Sequence, residues 1–205
     1  MRSRLRPHPG TARSRPASWL GRLLLLFVVA FASSGSAQSM QVPTNVQAEL
    51  LVKVAGFDRN YKARAGAKAI ILLAAAPGDA GSERAVLEMK SALARVPTIA
   101  DLPHEEQIVK SSSAAVIAAA ARERKAAIVY LGPGYAGQTA ALRDAFSSLN
   151  VLTVGGVPDY VPSGAVVLGF DLVSGRPKLL VHIQQARKQR VAFPASLLNL
   201  MKIYP

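Results

Sequence analysis

Three glycines near the middle of the chain have the spacing of a phosphate-binding loop. The stretch VYLGPGYAG contains Gly132, Gly134 and Gly137, which form G-x-G-x-x-G. In dinucleotide-binding folds such a loop joins a strand to a helix, and its backbone N–H groups point at a pyrophosphate. Pro133 has no N–H to donate, and Tyr135 places a ring where the phosphate would approach. We therefore favour a tight strand-to-helix turn, with a nucleotide-binding enzyme built on this loop as an alternative.

The other residue types that could do chemistry form no recognisable catalytic or metal-binding set in the sequence. The chain has no cysteine, which excludes a thiol nucleophile, a thiolate metal site and lipid attachment through an N-terminal cysteine. None of its three histidines has the spacing of a zinc motif. His104, followed by two glutamates, is typical of a hydrated loop, and His182 of a partly exposed strand. We expect no catalytic residue, no metal site and no cofactor.

Residues 1–37 have the features of a secretory signal peptide. Six arginines and no acid precede or border LLLLFVVAFA, an unbroken apolar run at residues 23–32 that small residues follow. This run is too short to cross a bilayer, which takes about 20 residues. We expect cleavage after Ala37, with Ala32-x-Ser34 as the alternative site. An organellar transit peptide is the competing interpretation, because the leader is rich in arginine, although a transit peptide would be amphipathic.

Much of the positive charge of the chain belongs to this leader. The full chain has a formal net charge of +13, and the part that starts at residue 38 holds 19 basic and 12 acidic residues, a net charge of +7. The densest remaining basic groups are RERK at Arg122–Lys125 and ARKQR at Ala186–Arg190. Each lies at the end of a predicted helix, where cations offset the helix dipole. We interpret both as solvated helix ends, with a docking surface for an acidic partner as the alternative, and expect no nucleic-acid partner.

Apolar runs and amphipathic segments alternate along the first two thirds of the domain. Thr44 is a candidate N-cap for a helix through Phe57, whose apolar face would include Val46, Leu50 and Val54. The alternation of strand and helix that follows favours a parallel sheet with helices on both faces. The later predicted elements are a buried strand at Ala69–Ala75, a helix from Ser82 to Arg95, a strand at EEQIVKSS, an alanine-rich helix capped within Ser111–Ser113, a strand at Ala126–Leu131, a helix at QTAALRDAFSSL and a strand at Val151–Gly156.

The C-terminal part of the chain follows a different pattern. Two strands, AVVLGFDL and KLLVHI, are joined by the turn VSGRP and predict an antiparallel hairpin. QQARKQR resembles a short helix, and PASLLNLMKIYP predicts a final helix that begins near Pro194 or Ser196. The predicted fold is therefore α/β: a single three-layer Rossmann-like domain at residues 38–205, with a mostly parallel sheet, a C-terminal antiparallel hairpin and a terminal helix.

This C-terminal part contains four short motifs: an LTV strand, a P-x-Y turn with a downstream glycine, a GF-x-L hairpin with its own glycine, and an F-x-x-S-LL stretch. Together they resemble the tail of the YfiR-like (DUF4154) family of periplasmic proteins, and the resemblance covers most of residues 38–205. In that family these positions are mainly structural. The residues that match them are Thr153, Pro158, Gly164, Phe170, Gly175, Phe193, Ser196, Leu197 and Leu198.

The resemblance implies a periplasmic protein that is not an enzyme. Characterised members dock on the periplasmic sensor domain of a membrane-bound diguanylate cyclase and repress it, which lowers cyclic-di-GMP and biofilm formation. Some members carry disulfides, which this chain cannot form because it has no cysteine. The candidate partner-binding residues are Tyr135, Tyr160, Arg187, Lys188 and Arg190.

A membrane-bound diguanylate cyclase, or another sensor protein, is thus the partner that the resemblance implies. Self-association as a homodimer is a further expectation, and no stable insertion in the membrane is expected after the signal is removed. The alternative function is that of a periplasmic accessory or solute-binding component of an outer-membrane system.

Overall fold

Seven strands and seven α-helices make up the part of the chain that the computed structural model describes, residues 41–205. The predicted signal peptide lies outside the described residues. Two short 3-10 turns, at Ala136–Gln138 and Pro158–Tyr160, complete the regular structure. In chain order the elements are α1 (Thr44–Phe57), α2 (Tyr61–Ala65), β1 (Ala69–Ala75), α3 (Ala80–Leu93), β2 (His104–Lys110), α4 (Ala114–Glu123), β3 (Ile128–Leu131), α5 (Thr139–Phe146), β4 (Leu152–Gly155), β5 (Leu168–Val173), β6 (Arg176–His182), α6 (Ile183–Lys188), α7 (Ala195–Leu198) and β7 (Lys202–Tyr204).

The strands form one sheet in the order β2-β1-β3-β4-β5-β6-β7. The first five strands of that order are parallel, β6 is antiparallel to β5, and β7 runs parallel to β6. The order reverses between β1 and β3, because the chain places β2 on one side of β1 and every later strand on the other. In open α/β sheets ligands bind at such a reversal, outside the carboxyl ends of the strands.

Two apolar layers enclose the sheet, which confirms the predicted three-layer α/β fold. One layer packs α1, α3 and the segment around α7 against side chains such as Ile71, Leu73 and Phe170. The other packs α4 and α5 against the opposite side chains of the same strands, such as Leu72 and Val129. The central strands β1 and β3 are buried on both faces, as their continuous apolar sequences predict.

Two helix starts differ from the prediction. Thr44 is the first residue of α1, and the N-cap is Pro43, which makes no side-chain cap hydrogen bond. The buried face of α1 includes Leu51 and Val54, whereas Phe57 is 52% exposed. In α3 the N-cap is Asp79, whose carboxylate accepts from the backbone N–H of Ser82 at 2.9 Å. The prediction at the start of α4 is confirmed, because Ser113 caps that helix.

The C-terminal hairpin is confirmed, and the chain then adds a strand that was not predicted. Val173 pairs with Arg176 around Ser174 and Gly175, which both have positive φ, so the turn matches the twist of its strands. The final helix is shorter than predicted and ends at Leu198. The chain then extends along β6 as β7, because the side chain of Met201 is buried in the core and Ile203 pairs with Val181.

Candidate functional site

The glycine loop lies at the reversal point of the sheet, directly after β3. The backbone N–H of Gly132 donates to the carbonyl of Ala74 at the end of β1, with a distance of 3.0 Å. The loop therefore joins the carboxyl ends of the two central strands. This is the place where a nucleotide would bind if the loop held one.

The space beside these glycines is filled by the protein itself. A Cβ added to Gly132 would lie 2.9 Å from the hydroxyl oxygen of Ser82. A Cβ added to Gly134, whose φ is +95°, would lie 2.7 Å from a carboxylate oxygen of Asp79. The two glycines are therefore required for close packing against the loop that connects β1 to α3. Gly137 differs, because nothing would lie within 4 Å of its added Cβ.

The N-terminus of α3 already has an anion at its cap. Asp79 provides the carboxylate that accepts from Ser82, and the Ser82 hydroxyl accepts from the backbone N–H of Ala76 at 2.9 Å. A helix N-terminus attracts phosphate because its first N–H groups lack partners. Here a side chain of the same chain satisfies one of them and brings negative charge to this end of the helix. The geometry supports a structural turn and does not favour a phosphate site in this loop.

Tyr135 and Tyr160 are buried, which corrects their prediction as partner-binding residues. Their exposed fractions are 0% and 1%. The Tyr160 hydroxyl accepts from the backbone N–H of Tyr135 at 2.8 Å and donates to the carbonyl of Gly132 at 3.2 Å. The Tyr135 hydroxyl donates to the carbonyl of Ser111 at 2.9 Å. These two phenols connect the loops that follow β2, β3 and β4, so their side chains are not available to a partner in this structure.

Burial also changes the acidity of the tyrosines. Loss of solvation raises the pKa of Tyr160 to about 12. Loss of solvation, with a smaller contribution from the nearby Tyr160 phenol, also raises the pKa of Tyr135. Burial likewise raises the pKa of Tyr61, at the opposite end of the sheet, to about 12. All three phenols therefore stay protonated and uncharged at neutral pH.

Gln47 is a structural contact that the sequence analysis missed. Its side chain is buried in α1, its amide donates to the carbonyls of Val42 (2.8 Å) and Gly156 (3.2 Å), and its carbonyl accepts from the Tyr130 hydroxyl. A signal was present, because Gln47 stands one helical turn before Leu51 on the face that is buried. Gln47 thereby attaches the start of α1 to the loop after β4.

A cleft of about 880 Å³ opens beside this contact. One wall is the segment before α1 with the first turn of that helix, and the other is the outer face of α3, including Arg84 and Leu87, with Arg95 just beyond its end. Tyr130 and Gly156 lie at its inner end, so the cleft reaches the carboxyl edge of the sheet. Its lining combines apolar, neutral polar and cationic groups with the carboxylate of Glu88.

The basic residues predicted to bind a partner lie at the other end of the sheet. Arg187, Lys188 and Arg190 are all exposed. The backbone carbonyl of Arg190 accepts from Arg64, whose guanidinium also pairs with Asp58 at 2.7 Å. This ion pair is buried, with side chains that are 2% and 0% exposed. The exposed cations thus surround a rigid internal contact, and their role in partner binding stays a prediction.

The family-motif residues mostly support the backbone. The Thr153 hydroxyl donates to the side-chain carbonyl of Gln189 and accepts from the backbone N–H of Val167. A Cβ added to Gly164, whose φ is +72°, would lie 3.0 Å from the His182 ring. The remaining motif residues differ in their surroundings: Pro158 starts a 3-10 turn, Gly175 forms the hairpin turn, Phe170 and Leu197 are buried, Phe193 and Leu198 are half-buried, and Ser196 is exposed.

The histidines have structural partners. His104 was predicted in a hydrated loop, but it is the first residue of β2 and its side chain is 4% exposed. Its Nε2 donates to the carbonyl of Val96 at 2.8 Å, and Nδ1 contacts the Glu106 carboxylate. His182 accepts from the Gln185 backbone N–H at the start of α6. Within residues 41–205 no cluster of histidine and carboxylate side chains could hold a metal ion.

Comparison with known proteins adds the family to this geometry. The YfiR/HmsC-like family, DUF4154, matches residues 44–202. A conserved domain protein from Vibrio cholerae O1 biovar eltor is similar in structure, with 13% identity, a TM-score of 0.58, and coverage of 80% of this chain and 60% of that one. The ABC domain in complex with L-Trp from Streptococcus pneumonia has 13% identity, a TM-score of 0.57, and coverage of 80% and 62%.

These two likenesses show the fold, and the chain spans less than two thirds of either solved structure. No curated protein matches the chain. In the described residues no helix has the length and apolar character needed to cross a membrane.

Proposed function

Because the chain belongs to the YfiR/HmsC-like family, we propose that it is an exported regulator that docks on the periplasmic domain of a membrane signalling protein. The proposed partner is a diguanylate cyclase, and docking represses it, which lowers cyclic-di-GMP and biofilm formation. The observation that carries the proposal is the family match over residues 44–202, almost all of the described domain. The family is a regulatory one, and its members are typically periplasmic.

The glycine loop supports a regulatory role over a nucleotide-dependent reaction. Ser82 and Asp79 fill the space that a phosphate would need beside Gly132 and Gly134. Of the residues predicted from the sequence to bind a partner, Tyr135 and Tyr160 are buried, whereas the cations of α6 are exposed. Arg187 and Lys188 are therefore the side chains that we propose to meet the partner.

Deletion of the gene in its own host tests the regulatory role. We expect the cellular level of cyclic-di-GMP, measured by mass spectrometry, to rise several-fold and to return when the wild-type gene is restored. Cross-linking of the tagged protein in intact cells should recover an inner-membrane cyclase. An unchanged level of cyclic-di-GMP, together with no cross-linked inner-membrane protein, would contradict the proposal.

Charge reversal on α6 tests the contact surface separately. Arg187→Glu with Lys188→Glu should reduce the yield of the cross-linked cyclase, because an acidic partner surface would now repel it. Arg84→Glu with Arg176→Glu is the matched control, since both arginines are exposed and lie toward the opposite end of the sheet. Equal loss in both variants would indicate a general effect of charge and not a docking site.

A solute-binding component is the second candidate function, and the cleft beside α3 favours it. The cleft volume of about 880 Å³ would hold a small organic molecule, and the structurally similar ABC domain from Streptococcus pneumonia was solved with L-Trp. Thermal-shift screening of amino acids against wild type and Leu87→Glu would test this. A stabilising ligand that Leu87→Glu abolishes, and that the exposed control Leu200→Glu retains, would support solute binding. No shift with any amino acid would count against it.

A further inference from the structure

A group of exposed basic residues lies at the amino ends of the parallel strands. Basic residues from three segments, 59–68, 122–125 and 187–190, gather there, and we call this end the amino-edge surface. We define it by ten basic and four acidic residues, which together carry a net charge of +6. Its basic residues are Arg59, Lys62, Arg64, Lys68, Arg122, Arg124, Lys125, Arg187, Lys188 and Arg190, and its acidic residues are Asp58, Asp101, Glu105 and Glu123.

Arg64 connects the two densest basic groups of the sequence. Its Nη2 donates to the carbonyl of Arg190 at 3.2 Å, and its Nε donates to the side-chain carbonyl of Asn150. Arg64 and Asn150 also line a cavity of about 340 Å³ together with Arg122 and Lys125, and no carboxylate lines that cavity. Groups that lie about sixty residues apart in sequence therefore form one continuous surface.

Ion pairs within the protein neutralise only part of this surface. Three of its four acidic residues are paired there, Asp58 with Arg64, Asp101 with Lys62, and Glu105 with Lys68. In residues 41–205 no salt bridge involves the remaining cations. The cations that stay available, against the single carboxylate of Glu123, are Arg59, Arg122, Arg124, Lys125, Arg187, Lys188 and Arg190.

The helix dipoles account for some of these cations and leave others unexplained. Arg122 and Arg187 lie in the last turns of α4 and α6, where they offset the negative helix ends. Lys125 and Arg190 lie beyond those ends, in the left-handed region with φ of 51° and 56°. Glycine is the residue without strain at this position of a helix end. The chain therefore keeps a strained cation at two equivalent positions where no internal charge requires one.

The cations of this surface other than Arg187 and Lys188, which we proposed above to meet the partner protein, fit phospholipid headgroups. Stable protein interfaces have an apolar core from which charged residues are depleted. The amino-edge surface consists of long cationic side chains, and the half-exposed ring of Phe57 adjoins it at the end of α1. Clusters of four to eight lysines and arginines with a nearby aromatic group are typical of proteins that bind anionic bilayers.

We propose that the amino-edge surface binds the headgroups of an anionic phospholipid bilayer, with Lys125 and Arg190 as contact residues and Phe57 at the margin of the contact. The carboxyl edge of the sheet, with the glycine loop and the cleft, then faces away from the bilayer. This proposal does not depend on repression of a cyclase, since it concerns the protein and lipid alone.

Co-sedimentation with vesicles tests the proposal, using the protein recovered after expression of the full chain. Vesicles of phosphatidylcholine and phosphatidylglycerol in a ratio of about two to one should bind it, and vesicles of phosphatidylcholine should not. Lys125→Gly with Arg190→Gly should weaken binding roughly 25-fold, since each cation near an anionic surface contributes about fivefold. The same variant should melt a few degrees higher, because glycine relieves the left-handed backbone. Loss of binding in a more stable protein cannot be attributed to misfolding.

Arg84→Gln with Arg176→Gln is the matched control, because it removes the same charge away from the amino-edge surface. It should keep most of the vesicle binding, and about 0.5 M salt should abolish the binding of wild type. Equal binding to both kinds of vesicle, or equal loss in control and test variants, would overturn the proposal. Absence of vesicle binding by wild type would also overturn it. If wild type does not bind vesicles and Lys125→Gly with Arg190→Gly loses a cross-linked protein, the surface is a protein-docking site. None of these outcomes measures repression, so the proposed function is judged separately.

Discussion

The two ends of the sheet treat their polar groups in opposite ways. At the carboxyl edge, Asp79, Tyr135 and Tyr160 point inward and bond to loops of the same chain. At the amino edge, the cations of α4 and α6 point outward, around the buried pair of Asp58 and Arg64. A motif that resembles a binding loop is thus used for packing, whereas cations that resemble ordinary helix ends form a surface.

This contrast shows how far residue type alone can mislead. Glycine and tyrosine in a loop at a reversal point of a sheet indicate ligand binding, because such loops often approach a ligand closely. Here the close approach is to Ser82 and Asp79 of the neighbouring loop. What distinguishes the two uses is whether the space beside each glycine is open or filled, and that is a property of the fold.

The largest expected effect lies in the buried ion pair of the amino edge. Arg64→Ala should lower the free energy of unfolding by about 3–5 kcal/mol, because it leaves the Asp58 carboxylate buried without its counter-charge. Lys62→Ala is a control on the same helix, since the Lys62 side chain is 62% exposed and its pair with Asp101 is solvated. We expect less than about 1 kcal/mol there. Urea unfolding would measure both, and similar losses would show that burial does not govern these pairs.

The glycine loop should show the next largest effect. Gly134→Ala should destabilise the protein by about 2–4 kcal/mol, because the residue has positive φ and its Cβ would overlap with Asp79. Gly137→Ala should change stability by less than about 1 kcal/mol, since its Cβ meets open space. Thermal and urea unfolding of the two variants would compare them. If Gly134→Ala proves neutral and lowers affinity for a nucleotide, the structural interpretation of the loop is wrong.

Removal of one hydroxyl at each end sharpens the comparison further. Tyr160→Phe should cost about 1–3 kcal/mol, because the buried N–H of Tyr135 would lose its acceptor. Tyr61→Phe, near the amino edge, should be neutral or slightly stabilising, because the Tyr61 hydroxyl is buried without a hydrogen-bond partner among the described residues. The measurement is again the free energy of unfolding. A larger loss for Tyr61→Phe would reverse our assignment of the two phenols.

The smallest effect that we predict concerns alkaline pH. Burial raises the pKa of Tyr61 and Tyr160 to about 12, so the folded state holds its phenolic protons more tightly than the unfolded state. Their stabilising contribution is full below about pH 10 and is lost as the pH rises toward 12. At about pH 11 the loss should be about 1 kcal/mol for each phenol. Tyr61→Phe should therefore lose less stability than wild type between about pH 9 and pH 11, which urea unfolding at each pH would measure.

The sheet was largely predictable because its central strands are continuous apolar runs. AIILLAA and AIVYL are too short for core helices and are bounded by loop residues, so their type follows from burial alone. Strand β7 was not predictable, since Lys202, Ile203 and Tyr204 show no apolar run and become a strand only through pairing with β6. The final helix is shorter than predicted because the residues of its last predicted turn pair with β6 instead.

The site was less predictable than the fold. Sequence pattern does not report whether a tyrosine beside a glycine loop points inward, so Tyr135 and Tyr160 were assigned to the wrong side of the surface. Nor does it report that Arg122 and Arg190 lie at one end, because their proximity arises from the sheet order and from the bonds of Arg64. Distances between segments far apart in sequence are set by the fold, and function here depends on those distances.

The polar sequence of β2 has a consequence for how molecules of this protein meet one another. This strand is the outermost parallel strand, and an outermost strand offers unpaired backbone groups to any other extended chain. Its Glu105 pairs with Lys68 and its Lys110 pairs with Glu83, so charged side chains stand along the open rim. An incoming strand would have to displace or bury those charges. The edge strand β2 is thereby protected against strand addition and fibril growth. This protection matters most while a newly made domain is still folding.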